Sequence, residues 1–472
     1  MLPTRKLALP RRAITLIALA ALGLAVAGLP ARGGTASGPA AAAPAAATGA
    51  ARPVPAVARA PAIPLQSPSP LPIAQCLAEV KLRCYTPLQY RAAYDLNPLY
   101  KAGVTGKGRT IVIVDSFGSP TIRHDLAAFD RQWGFPNPVL DIVKVGKLPA
   151  FNPNNAVMDG WAEETTLDVE YAHTVAPGAR IVLVETPVAE EEGVTGFPPM
   201  MTALKTLIGK GTGDVISMSF GATENTFPGF AKGNYSSLLN LRYAFTDAAR
   251  HGVTVVAAAG DTGAAGDEPD GTTLYPYRTD SWPSADPLVT SVGGTELFLT
   301  QNGARTQPDQ VWNDGYGAGG GGVSAIFGRP AFQDGVRGVV GGHRGTPDIS
   351  MSGAVNGGGW VYESFEPTGP GWEIFGGTSE ATPMFAGIVA LADQMAGRRL
   401  GDINPALYAL GGLSRVRSFS GRTGIIDIIR GSNSFGGVTG YSAAPGYDLA
   451  SGWGTIDAAR FVPALASLAG RP

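Results

Sequence analysis

Histidine is scarce in this chain, with four among 472 residues. The usual general base near neutral pH is therefore in short supply, and any proton-transfer chemistry has to look first to other side chains. Cysteine is scarcer still: Cys76 and Cys84 allow one disulfide and no more. Charged residues make up 16% of the chain and the formal net charge is −2. That balance holds nothing to attract nucleic acid or an anionic membrane surface. Beyond the N-terminus no segment is long and apolar enough to span a bilayer. What the chain does have is 44% hydrophobic residues, enough for a large core, and 65 glycines, which imply many tight turns.

Arg5, Lys6, Arg11 and Arg12 precede an apolar run from Ala13 that ends in Ala25-Val26-Ala27. A basic start, an apolar stretch and a small-x-small end read as an export signal over residues 1–27. Residues 28–75 are rich in Ala and Pro and poor in large apolar side chains, the composition of a linker. Folded sequence is expected from residue 76 to residue 472. After export a disulfide can persist, so Cys76 and Cys84 are expected to be bridged.

Continuous apolar runs at Ile111–Val114, Ile181–Val184, Val215–Ser219, Val253–Ala259 and Val289–Val292 alternate with helical stretches. This predicts an α/β fold with a mostly parallel sheet and helices on both faces. Ligands of such sheets bind beyond the carboxyl ends of the strands, where Asp115 and Asp261 fall. Glu164 and Asp168 are four apart in a helical run, so their carboxyl groups share one face. Like charges there repel, which suits a site that needs a raised carboxyl pKa. Ser379 stands between the glycine turn Gly376-Gly377 and an apolar helix, with Pro383 tolerated only near that helix's start. It is the candidate nucleophile, or else a helix cap.

Ten segments in one order resemble the sedolisin family, serine-carboxyl peptidases with a subtilisin-like fold. They are Tyr85-Thr86-Pro87, Glu164-x-x-x-Asp168, Ala176-Pro177-Gly178-Ala179, Ser217-Met218-Ser219-Phe220-Gly221, Gly260-Asp261-x-Gly263, Val292-Gly293-Gly294-Thr295, Gly321-Gly322-Val323-Ser324, Pro347-Asp348, Gly377-Thr378-Ser379 and Gly446-Tyr447-Asp448. The resemblance implies Ser379 as nucleophile, Glu164 as its general base, Asp168 as the group that orients Glu164, and Asp261 as oxyanion-hole donor. It also implies a calcium loop, with side chains from Asp427 and Asp448 and carbonyls from Ile428, Ala444 and Gly446. The subtilisin triad is the competing mechanism; Asp115 is well placed for it, but the helix that should carry histidine carries Glu164 and Asp168. His173 reads as structural and Asp115 as an auxiliary member of the carboxylate network. Three departures from the family stand out: only the linker lies where a folded prosegment is usual, Gly376 stands where serine is common, and Glu380 adds a charge beside Ser379.

Together these readings describe a secreted, extracellular endopeptidase, monomeric and acting on polypeptides, with bound Ca2+ and no membrane contact after signal cleavage. Two carboxyl limbs flanking ordinary values of about 4 predict an activity maximum at roughly pH 3–5. The alternative is a catalytically silent relative that binds peptides or serves as a secreted surface module.

Overall fold

The five apolar runs become neighbouring strands of one sheet because each is bounded by turn residues and long enough to be buried on both faces. The computed structural model describes residues 62–469 apart from Thr368 and Ser420. The signal expected over residues 1–27 and most of the linker lie outside the described residues. Across the sheet the strands run Gln310–Val311, Thr290–Glu296, Thr254–Ala258, Val215–Met218, Thr110–Ser116, Arg180–Thr186 and Leu140–Lys144. Ile349–Ser352 pairs with Thr290–Glu296 as well. Every pairing is parallel except that of Gln310–Val311.

Alternation along each strand sorts its side chains between two cores. Val112, Val114, Val182, Val184, Ile216 and Met218 face the helices Phe197–Gly209 and Tyr243–Arg250. Ile111, Ile113, Ile181, Leu183, Val215 and Val256 face the other way. On that side lie the two helices that matter most, Ala156–Val175 and Thr378–Ala396, packed against each other. We call them the carboxylate helix and the serine helix. Both are buried along nearly their whole length, which explains why neither has a clean polar stripe in sequence.

A second, four-stranded sheet was not anticipated. Gly358–Glu363 and Gly371–Phe375 form an antiparallel hairpin, Cys84–Tyr85 joins one side and Ala62–Ser67 the other. Among the described residues regular structure is thus present from Ala62, inside the stretch read as linker, and the helix Ile73–Glu79 begins before the expected start of folded sequence at Cys76. The reason is long-range pairing: backbone hydrogen bonding to the hairpin, with Ala62 opposite Phe375 and Ile63 opposite Ile374, needs little side-chain hydrophobicity. Pro64 is tolerated because this strand is at the edge. Cys76 and Cys84 are bridged, with Cα atoms 6.1 Å apart. The bridge closes a short loop and contributes roughly 2 kcal/mol.

Two elements of sequence without an assigned role find one in packing. Thr86 caps the helix Pro87–Ala93 reciprocally with Gln89: Gln89 N–H donates to Thr86 Oγ1 at 3.3 Å and Thr86 N–H to Gln89 Oε1 at 2.7 Å. Asp348 forms a buried, two-pronged ion pair with Arg344, at 2.6 and 2.5 Å, and also accepts from the Tyr408 hydroxyl and the Ser291 N–H. His173 is buried with Nε2 3.1 Å from Asp130 Oδ1, a packing partner rather than a member of any serine site.

Neither half of the Arg344–Asp348 pair meets solvent. Asp348→Ala should therefore cost about 3–5 kcal/mol, because it strands a buried guanidinium. Denaturant unfolding of the variant with native-like far-UV dichroism checks this, and a loss below 1 kcal/mol would contradict it.

Candidate active site

The serine helix begins abruptly. Gly377 has φ 94° and ψ 160°, a conformation that glycine adopts without strain, and it turns the chain so that Thr378 and Ser379 open the helix. Gly376 has its own reason: a Cβ there would lie 2.8 Å from the Gly353 carbonyl and the Val355 N–H, so serine has no room. Ser379 is almost buried, at 5% exposure. Glu380 does not charge the site, contrary to expectation. Successive helix residues point about 100° apart, and Glu380 turns into the core beside Tyr90, Ser352 and Gly359, where burial holds its carboxyl well above the usual range.

The carboxylate helix brings Glu164 to the serine and Asp168 one turn further on. Ser379 hydrogen-bonds to the Glu164 carboxyl. Asp168 Oδ1 accepts from Ser219 Oγ at 2.8 Å, and the Ser219 carbonyl lies 3.5 Å from Ser379 Oγ. Ser219 thus ties the end of the Val215–Met218 strand to both members of the site. Asp115, at the end of its strand, is fully buried beside the same pair. Burial pushes Glu164 well up, with Asp168 and Asp115 adding repulsion, and pushes Asp168 up with help from Asp115. Asp115 itself rises to about 7, mainly through burial. Three buried carboxyl groups this close cannot all ionise, so the cluster loses its protons stepwise and as a unit.

Asp261 approaches from the other side. It follows Gly260, whose φ of 110° sends the chain sharply away from the strand Thr254–Ala258. Its Oδ1 accepts from the Thr378 N–H at 2.7 Å and the Thr378 hydroxyl at 2.8 Å, which leaves Oδ2 to carry a proton. Burial lifts Asp261 to about 6 in spite of those two donors. Beside it lies a small hollow lined in part by Gly260, Thr262, Thr279, Asp280, Ser281 and Gly321. Its wall demands glycine: a Cβ on the adjoining Gly320 would sit 2.0 Å from the Ala259 carbonyl.

All four site residues named from sequence, Glu164, Asp168, Asp261 and Ser379, thus lie around one point. Sequence reasoning missed the parts played by Ser219 and Thr378. Both lie inside quoted motifs, but a hydroxyl that donates to a buried carboxylate looks in sequence like any other serine or threonine.

Residues at the C-terminal loop were tested for calcium. Asp427 Oδ2 accepts from the Gly446 N–H and Asp448 Oδ2 from the Ala444 N–H, both at 2.8 Å, so one turn holds both carboxylates. Asp448 Oδ1 is taken up by the N–H groups of Ala450 and Ser451 and the Ser451 hydroxyl. The donors are hard oxygens, Asp427 Oδ1 is not consumed by the turn, and burial lifts both carboxyls even though the Arg415 charge draws Asp427 down. This set fits calcium.

A parallel sheet with the serine at the start of a buried helix, and carboxylates where a subtilisin-type site would place histidine, defines a subtilisin-like serine–carboxylate protein. The sequence signature of the subtilase family matches residues 150–400. Kumamolisin of Bacillus sp. (strain MN-32) is 32% identical over 392 residues, covering 81% of this chain and 63% of its own length. Tripeptidyl-peptidase 1 of Homo sapiens is 28% identical over 315 residues, 62% of this chain and 50% of its own. The solved structure of Pseudomonas sedolisin, a serine-carboxyl proteinase complexed with pseudo-iodotyrostatin, superposes with a TM-score of 0.67 at 26% identity, over 82% of this chain and 99% of that one. The chain belongs to the subtilase family, in its sedolisin branch. It spans about three fifths of kumamolisin's length and half of the human peptidase's.

Asp115, Glu164 and Asp168 keep their protons to higher pH in the folded chain than in the unfolded one. The folded state therefore binds more protons between about pH 4 and 7, and stability falls as pH rises through that window. In a Ser379→Ala background, which prevents self-digestion, chemical denaturation should show a loss of several kcal/mol from pH 4 to pH 7. Asp115→Asn should flatten that slope, and an unchanged slope would contradict the assignment.

Proposed function

We propose that the chain is a secreted serine-carboxyl endopeptidase that cleaves polypeptides in acid. The observation that carries this reading is the run from Ser379 through Glu164 and Asp168 to Ser219, with Asp261 held at the nucleophile's own turn by Thr378. Ser379 Oγ attacks the scissile carbonyl while Glu164 takes its proton. Asp168, fixed by Ser219, shares charge with Glu164 and orients it. Protonated Asp261 donates from Oδ2 to the oxygen that becomes negative. Glu164 then passes its proton to the leaving amine, and water repeats the sequence on the acyl-enzyme. Asp115 lies behind the pair and tunes its charge. Secretion rests on the basic and apolar pattern of residues 1–27.

Calcium belongs to the proposal as a structural ion held by Asp427, Asp448 and the carbonyls of Ile428, Ala444 and Gly446. When bound it adds positive charge where Asp427 and Asp448 converge on one turn, beyond what Arg415 gives Asp427.

The protonation states set the pH profile. Below the first apparent pKa of the Glu164–Asp168 pair the base is lost. Above about 6 Asp261 ionises and repels the developing oxyanion. The rate should therefore peak below pH 6, with its alkaline limb near 6. Asp261→Asn keeps a donor that does not titrate, so its alkaline limb should vanish, while Asp261→Ala should lose about 10²–10³ in kcat. Measuring kcat/KM from pH 2 to 8 on an unfolded protein, with the fragments sized to separate internal cuts from tripeptide release, checks all three. A maximum at neutral pH, or Glu164→Gln at full rate, would return the site to a histidine mechanism. Proteolysis unaffected by Ser379→Ala would leave the silent, peptide-binding alternative standing.

Chelation should lower the melting temperature of wild-type protein by several degrees, and by less in Asp448→Asn. Calorimetry with equal melting temperatures in calcium and in chelator would remove the ion from the proposal.

A further inference from the structure

A second group of acids lies outside the chemistry described above. Glu163, the residue before Glu164, meets Glu363 and Glu373 of the hairpin, and one oxygen from each of the three lies within 4.8 Å of the others. Asp159 and Glu366 form an overlapping triad with Glu163, at a partly exposed rim. Five carboxyl groups thus come together from the carboxylate helix, both hairpin strands and the turn between them.

Acidic clusters are common, and what distinguishes this one is Glu363. Its residue is 1% exposed, and neither carboxyl oxygen has a hydrogen-bond partner among the described residues. The four strongest charges acting on it, from Glu163, Glu373, Glu366 and Glu170, are all negative. A buried carboxylate with neither donor nor counter-charge is costly, and native interiors supply one or the other. Oxygens that share one ion at about 2.4 Å lie at most about 4.8 Å apart, so the three fall within the span that one ion bridges, and a set made only of carboxylates is the hard-oxygen donor set that calcium takes. The partly exposed Asp159 and Glu366 leave a way in from solvent and two further oxygens.

We propose that Glu163, Glu363 and Glu373, with Asp159 and Glu366 at the rim, bind a divalent cation of calcium size, distinct from the C-terminal loop. The ion joins the helix that carries Glu164 to the strand Gly371–Phe375, which leads directly into Gly376 and the nucleophile's turn. Its place is that of a clamp between the two segments that must hold base and serine in register. It touches neither the substrate nor the reacting atoms.

The test uses the full chain carrying Ser379→Ala, dialysed against calcium at pH 6.5. Metal analysis should find one calcium fewer per chain in Glu363→Gln than in its parent, whatever the C-terminal loop holds. Melting temperatures should cross: without calcium Glu363→Gln melts no lower than the parent, since a buried charge has been removed, and with calcium it melts lower. Equal calcium content, with Glu363→Gln the more stable in both conditions, means that the cluster holds protons only and overturns the proposal. Should Glu363→Gln fail to fold, Glu373→Gln serves with the same two readouts.

Discussion

The placement of carboxyl groups where water and basic side chains do not reach is the constraint on which this structure turns. Asp115, Glu164 and Asp168 sit between the sheet and two helices that are themselves buried. In most proteins such groups are paired with arginine, as Asp348 is with Arg344. Here they face one another instead, and the energy of desolvation is offset by holding protons rather than by ion pairs. The raised pKa makes a carboxyl of the cluster, once it has lost its proton, a stronger base toward serine, and a carboxyl that keeps its proton is able to give a hydrogen bond to an oxyanion. The same choice ties both stability and chemistry to low pH.

The scaffold around these groups is correspondingly stiff. Hydroxyls rather than cations orient two of the carboxylates: Ser219 holds Asp168 and Thr378 holds Asp261. A hydroxyl donor stabilises a carboxylate without fixing it in the ionised state as an arginine would. Glycine supplies the remaining precision, at Gly377, where the chain must turn into the serine helix, and at Gly320, where backbone runs against backbone.

The acidic group around Glu363 extends the same theme to the far side of the carboxylate helix. Adjacent residues Glu163 and Glu164 point to different environments because a helix rotates about 100° per residue. One meets a serine, the other a hairpin rich in acids. Chemistry and clamp thus share one element, so any strain in the hairpin reaches the base through a single rigid helix.

The sequence by itself determined the class of fold, through five apolar runs separated by helical stretches, and it pointed to four candidate site residues, through motifs whose order along the chain is hard to imitate. It determined the bridge between Cys76 and Cys84, since no other pair exists. Tertiary structure decided the rest. The strand Ala62–Ser67 exists because a hairpin some 300 residues later offers it an edge, and the Pro- and Ala-rich stretch in which it lies shows nothing of that. Glu380 reads as a charge at the site and proves to be a core residue, because the direction of a helical side chain depends on which face is covered. Ser219 and Thr378 gained their places through hydrogen bonds to residues 51 and 117 positions away. Glu363 and Glu373 meet Glu163 only when the hairpin folds onto the helix, and a contact between segments 200 residues apart leaves no periodicity to read.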